Sequence, residues 1–294
     1  MTHHHDHAAH SSTEGLKIAF VLNLGFALLE LVGGLWINSL AIVSDSLHDL
    51  GDSVSLGLTW YLDRYAEREE DVQYSYGYRR YSLLGALLNA LILIGGGVLI
   101  LSEAVPRLLR PASPNAQGMV VFAVFGILVN GAAALRLRKN VSFNARMVSW
   151  HLLEDVLGWA AVLVVSVVLF FWEIPVLDPL LSIVITLYVL YNVIGNLRKT
   201  SAVFLQAVPA EFDIDEIESA LQAIKHVCEV HHTHVWSLDG KHHVLTTPLV
   251  LEDDVTKQTA MDVKCEAKAA LTDLVLTHVT IEIEYGGETC SMHS

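Results

Sequence analysis

LAIVSDSLHDLGDSVSLGLTWYLDRY, residues 40–65, is long enough to cross a bilayer and yet carries Asp45, His48, Asp49 and Asp52. A spacing of four puts His48 and Asp52 one turn apart on one helix face. Asp45, His48, Asp52 and Ser55 recur at three- and four-residue steps, a polar stripe on an otherwise apolar helix. An ionisable group in the hydrocarbon layer costs on the order of 3 kcal/mol or more, so the stripe is expected to face a bundle interior. The pattern returns in HLLED, 151–155, where His151 and Asp155 repeat the pair. Two imidazoles and two carboxylates suit a tetrahedral divalent ion, zinc first.

The rest of the chain agrees with a membrane protein. Of its 294 residues 53% are hydrophobic, and the mean hydropathy is +0.45. A span takes about 20 apolar residues. Six segments qualify: Leu16–Trp36, Leu40–Tyr65, Tyr81–Glu103, Gln117–Leu137, Val148–Trp172 and Leu177–Leu197. Arg64, Arg68, Arg79, Arg80, Arg136, Arg138, Lys139, Arg146, Arg198 and Lys199 fall on the side that holds both termini; Arg107 and Arg110 fall opposite. The positive-inside rule then puts both termini in the cytoplasm. A net charge of −14 with no basic stripe excludes nucleic acid as a partner. Cys228, Cys265 and Cys290 do not make a disulfide framework and fit a reducing compartment. Cys228 and Cys265 are read as buried packing residues. The start, MTHHHDHAAHSSTEG, lacks a basic n-region, so no cleavable signal peptide is expected.

Beyond about Pro209 the pattern changes. Ile214–Ile224 and Lys257–Leu274 read as helices; Glu229–Ser237, His243–Leu251 and His278–Tyr285 read as strands, the first two joined by an Asp239-Gly240 turn. This order predicts a small α+β domain with helices on one face of a three-stranded sheet. The expected organisation is a His-rich tail (1–15), a six-helix membrane domain (16–200), a small domain (209–287) and a C-terminal tail (288–294). His3, His4, His5, His7 and His10 suit a disordered, weak metal-collecting tail or no function at all.

These residues resemble the cation diffusion facilitator family, the proton-coupled zinc exporters. The resemblance rests on SLAIVSDSLHDLGD (39–52), YGYRRYSLLGALLNAL (76–91), HLLED (151–155), Asp178-Pro179, VHHTHVW (230–236) and VTIEIE (279–284), in that order along nearly the whole chain. It implies six transmembrane helices, a cytoplasmic ferredoxin-like α+β domain of metallochaperone type, and a homodimer; the short loop between the fourth and fifth spans, with no histidine run, points to the plasma (inner) membrane. It also implies a transport metal site at His48, Asp52, His151 and Asp155, where His at the first position of both pairs goes with zinc, often with cadmium or cobalt. Three departures stand out. Ser82 replaces an acidic residue common in the third span. The loop 66–78 has no histidine for a metal site found there in some members. Pro248 stands where a cytoplasmic histidine is usual, and His232 where Asp is frequent.

Around the quartet, Asp45 reads as a carboxylate orienting His48, with an outer-ligand or proton-accepting role as the alternative. Asp49 and Glu154 suit interhelical contacts as well as a functional role; Glu30, Asn89 and Asn130 read as helix-packing polar residues. The cytoplasmic candidates for metal are His231, His232 and His234, with Glu282 or Glu284 joining from the last strand and Cys290 and His293 from the tail. Strand alternation lets His232 and His234 share a face but not His231 and His234, and His243 is expected to turn toward that face. The expected activity is export of zinc as substrate in exchange for protons, by alternating access. A membrane metal sensor or scaffold without transport is the alternative. An intramembrane metalloenzyme is disfavoured because no His-Glu-x-x-His sequence occurs and four ligands leave no open coordination position.

Overall fold

The computed structural model describes residues 6–66, 68–137 and 143–286, with side chains described from Phe20 onward except at 56, 59–60, 63–64 and 136–152. Six long helices come first: α1 (Asp6–Ile37), α2 (Leu40–Ala66), α3 (Tyr81–Leu109), α4 (Ala116–Leu137), α5 (Phe143–Phe171) and α6 (Leu177–Phe204). Among the described residues, five of them are long and apolar enough to cross a membrane. The exception is α2, whose carboxylates lower its hydropathy although it has the length. α1 begins at Asp6, so the tail expected to be disordered is helical from there; no proline interrupts it and Ala8, Ala9 and Glu14 favour helix. His3, His4 and His5 lie outside the described residues, as do the side chains of His7 and His10.

The chain divides into two compact units, 1–61 with 85–197 and 62–84 with 198–294. In the first, buried residues of α1, α2, α4 and α5 pack around Trp159, with Ile42, Met119 and Val162 among them. A Cβ on Gly126 of α4 would stand 2.3 Å from the Trp159 ring, so only glycine lets α4 approach α5 this closely. α3 and α6 share a smaller cluster of Ala90, Leu93 and Val193. The outer faces carry exposed Leu22, Leu91, Leu128 and Val164, an apolar band suited to lipid.

In the second unit, α7 (Ile214–Gln222) and α8 (Lys257–Ala270) accompany β1 (Val227–Val230), β2 (His234–Ser237), β3 (His243–Leu251) and β4 (Leu276–Tyr285). Asp213 caps α7, accepting from the amides of Asp215 and Glu216, and Thr256 caps α8 through Thr259. β3 is central. β2 and β1 pair antiparallel with its first and last residues in turn, and β4 pairs parallel along its whole length. The single strand expected at 229–237 is therefore two, because His232 adopts a φ of +50° and breaks the ladder. β3 lacks ladder partners on that side at Thr247 and Pro248, which is where a proline is tolerated in a central strand. Val235, Leu245, Leu249 and Ile281 bury one sheet face against Ile217 and Leu221 of α7 and Val263 and Ala267 of α8. Cys228 and Cys265 are exposed, correcting their reading as core residues; each sits on the solvent side of its element.

The loop between α2 and α3 belongs to this second unit and is well ordered by its own contacts. The Asp71 carboxylate accepts from the Tyr78 hydroxyl (2.7 Å) and from the Gln73 and Tyr74 amides (2.8 Å each). The Tyr78 hydroxyl first, then the Tyr74 amide, hold the Asp71 carboxyl below its usual range. Gly77, at φ +72°, makes the turn.

Candidate metal centre

α2 enters the bundle anchored at its N-terminus by a side chain from α6. The buried Asp178 carboxylate accepts from Ser39 Oγ (2.5 Å) and from the amides of Leu40 (2.8 Å) and Ala41 (3.3 Å), occupying donors that a helix start leaves without partners. One turn further in, Ser44 Oγ and Thr186 Oγ1 are 2.8 Å apart and buried. One more turn brings His48, whose Nε2 lies 3.8 Å from Asp52 Oδ2. His48, Ser44 and Thr186 border a cavity of about 260 Å³ between α2, α3 and α6, otherwise lined mainly by apolar residues such as Leu93 and Ile100. Gly51 allows the close crossing of α2 and α3 there, since a Cβ would lie 2.2 Å from Leu93.

Asp45 faces α5. It is buried, and its Oδ1 would lie 3.8 Å from a Cβ at Gly158, three residues from Asp155. Asp155 and Asp49 are the electrostatic neighbours of Asp45, and Asp49 in turn senses Asp155, His48 and Asp52. Five of the acidic and imidazole groups expected on α2 and α5 thus occupy one electrostatic neighbourhood. The His151 backbone lies in α5; its side chain is outside the described residues. Among the described residues no group of three His, Cys, Asp or Glu side chains is arranged to hold a metal.

Two residues take on more than the sequence suggested. Glu30 of α1 is fully buried with Asp49, Asp45 and Asp155 as electrostatic neighbours, so it joins the acidic group and is not a remote packing contact. Its signal was a lone carboxylate in the middle of the first span, whose other charge, Lys17, lies at its edge. Glu154 turns to the outer side of α5 and accepts a hydrogen bond from the Tyr188 hydroxyl of α6, an interhelical contact.

In the second unit the break at His232 rearranges the histidines. His231 Nδ1 lies 2.8 Å from His232 Nδ1, and His231 Nε2 lies 3.2 Å from the buried Glu284 Oε2. His234 and Glu282 are exposed. The last-strand partner is therefore Glu284, two residues along the same face from Glu282, and alternation no longer governs His231 once the strand is broken. His243 does not turn toward these residues; its Nε2 lies 3.2 Å from Glu211 Oε1 and its ring meets Phe212 edge-on. Cys290 and His293 lie outside the described residues.

Comparison with known proteins adds independent findings. The cation efflux transmembrane domain matches residues 16–205, and the cation efflux protein cytoplasmic domain matches 209–285. The metal cation efflux system protein CzcD of Cupriavidus metallidurans is 33% identical over 285 residues, 96% of this chain and 89% of that protein. A cadmium, cobalt and zinc/H(+)-K(+) antiporter of Bacillus velezensis is 28% identical over 97% of this chain and 92% of its own length. The zinc transporter ZitB of Escherichia coli is 28% identical over 97% and 93%.

Proposed function

The chain belongs to the cation diffusion facilitator family, and we propose that it exports zinc from the cytoplasm in exchange for protons by alternating access. It is a multi-pass membrane protein of metal-cation efflux. The observation that carries the finer reading is the His48–Asp52 pair at 3.8 Å on α2, with Asp45 on the same helix turned toward α5 near Asp155. Two ligand atoms of one tetrahedral zinc lie about 3.3 Å apart, so this pair can close on an ion with a small rotamer change. His151 and Asp155 complete the set in this reading, with Asp45 as a supporting carboxylate on the side of Asp155. The names of the relatives, which include zinc, cadmium and cobalt, support the same cations here; all three accept nitrogen and oxygen ligands.

Zinc binds only deprotonated imidazole and carboxylate. Protons arriving from outside therefore compete with the ion for His48, His151 and the two aspartates, help expel it, and return inward on the emptied carrier. We assign transport to 16–200 and a cytoplasmic domain to 209–287, with both termini cytoplasmic and a homodimer as the working unit. Zinc held in the cytoplasmic domain would draw two acidic cytoplasmic domains together. The neighbouring His231, His232 and Glu284 are the observation behind a second reading, a metal sensor that does not transport. Zinc uptake into inside-out vesicles decides between them: uptake abolished by Asp52→Ala supports export, and zinc binding without flux in the wild type supports the sensor.

A further inference from the structure

α2 and α6 meet along a seam of polar side chains that runs from the Asp178 anchor to the cavity beside His48. On α6 these are Asp178, Ser182 and Thr186. A spacing of four stacks them on one helix face, about 6 Å apart along the axis. Asp178 meets Ser39 and the first amides of α2, and Thr186 meets Ser44. Ser182 lies between these two contacts on the same face, so it faces α2 as well. Ser39, Ser44, Asp178, Ser182 and Thr186 are all buried.

Two features of the seam require a further hydrogen-bonding partner. Ser182 is 0% exposed, and its Oγ has no hydrogen-bond partner among the described residues. A buried hydroxyl left in that state costs about 1–3 kcal/mol, and ordered water is the partner such groups commonly take. In the Ser44–Thr186 pair one hydroxyl donates to the other, which leaves the second hydrogen for another acceptor. Both residues border the cavity of about 260 Å³ that His48 also borders, ample for several waters. A water bridging two oxygens at about 2.8 Å each spans about 5.6 Å, close to the axial step from Asp178 to Ser182 and on to Thr186. A metal ion does not fit the seam in this conformation. Two oxygens on one zinc stand about 3.3 Å apart, whereas those of Ser44 and Thr186 are 2.8 Å apart.

We propose that Ser182, Thr186 and Ser44, joined by bound water, relay protons from the Asp178 end of the seam to the cavity beside His48. In the topology assigned above that end is the outer one, so the relay rests on the export reading. It gives the incoming proton a route that zinc does not share in this conformation. At each step a hydroxyl accepts a proton from the water on its outer side and releases its own to the water on its inner side. The hydroxyl ends unchanged and one proton has passed.

The test is zinc uptake into vesicles with an imposed proton gradient, for wild type, Thr186→Val, Thr186→Ser and Ser182→Ala, with melting in detergent as the check on folding. Thr186→Val keeps the shape and loses the hydroxyl; uptake at saturating zinc is expected to fall about tenfold with KM little changed. Thr186→Ser keeps the hydroxyl and loses the methyl, and is expected to stay within about twofold of wild type. Ser182→Ala is expected to lower uptake about threefold, and it decides alone where Thr186→Val does not fold. In a high-resolution structure of the wild type, water within hydrogen-bond distance of Ser182 Oγ is expected; Ser182 Oγ bonded to the Asp178 backbone carbonyl in its place overturns the relay. A Thr186→Ser variant no better than Thr186→Val makes this residue a packing contact and overturns it too. Gradient-coupled uptake in the wild type that Thr186→Val and Ser182→Ala both retain in full defeats the relay alone, whereas wild-type uptake that ignores the gradient defeats the export reading and the relay together.

Discussion

Histidine–carboxylate pairs occur in both parts of this molecule, and their spacing separates two kinds of work. In the cytoplasmic-type unit His226–Glu252 and His242–Asp239 close to 2.7 Å, direct hydrogen bonds too short for two ligands of one zinc ion, which stand about 3.3 Å apart. These are latches: His242 closes the Asp239-Gly240 turn, and His226 ties the start of β1 to Glu252. In α2, His48 and Asp52 stand 3.8 Å apart, a gap an ion can bridge. His231–Glu284 and His243–Glu211, both at 3.2 Å, lie between the two. A latch contributes to local stability; a gapped pair leaves room for an ion between its members.

The sharpest way to break this contrast is to remove one member of each pair. Asp52→Ala is expected to lower zinc uptake into vesicles about a hundredfold or more, since a four-ligand site loses a carboxylate in a medium that offers no replacement. Wild-type uptake in that variant would remove the ion-holding role from α2. Next in size is Asp178→Ala. It strands the Ser39 hydroxyl and the amides of Leu40 and Ala41, a loss of about 3 kcal/mol, read as a lowered melting temperature in detergent with uptake reduced in parallel. His231→Ala comes third: cytoplasmic zinc binding by calorimetry is expected to weaken about tenfold or more, whereas the exposed His234→Ala leaves it unchanged. Equal effects of the two would restore the strand-alternation reading.

The smallest effect belongs to a latch. Burial pushes the Asp239 carboxyl up, but the amides of Lys241 and His242 and the His242 ring outweigh it and hold the group below its usual range. A folded pKa below the unfolded one means stabilisation that is present above about pH 4 and is lost as pH falls through the lower folded value. The protection factor of the 238–243 turn amides, exchange rate relative to that of the unfolded chain at the same pH, is expected to fall over that acid window in the wild type. Asp239→Ala should show little protection at neutral pH already and no such acid step.

Much of the fold was legible because apolar length and period are local properties. The spans from Leu40 and Leu177 begin where expected, and both helices lie on one face of the sheet as expected, although the order is α-β-β-β-α-β with four strands where three were expected. What sequence did not reveal is non-local or conformational. The positive φ of His232 is not written in a His-His pair, so the broken strand and the choice of Glu284 over Glu282 were invisible. The outward Cys228 and Cys265 follow from which side of β1 and α8 meets the core, a matter of partner elements. At the membrane site, the four-residue spacing of His48 and Asp52 was readable from periodicity alone. The approach of Glu30 on α1 needed the bundle.

The most direct test of the central claim is zinc uptake into reconstituted vesicles with an imposed proton gradient, for wild type and Asp155→Ala. Uptake that rises with the gradient in the wild type and disappears in the variant is the expected result. Gradient-independent uptake in the wild type, or full uptake by Asp155→Ala, would contradict proton-coupled export through the α2–α5 site.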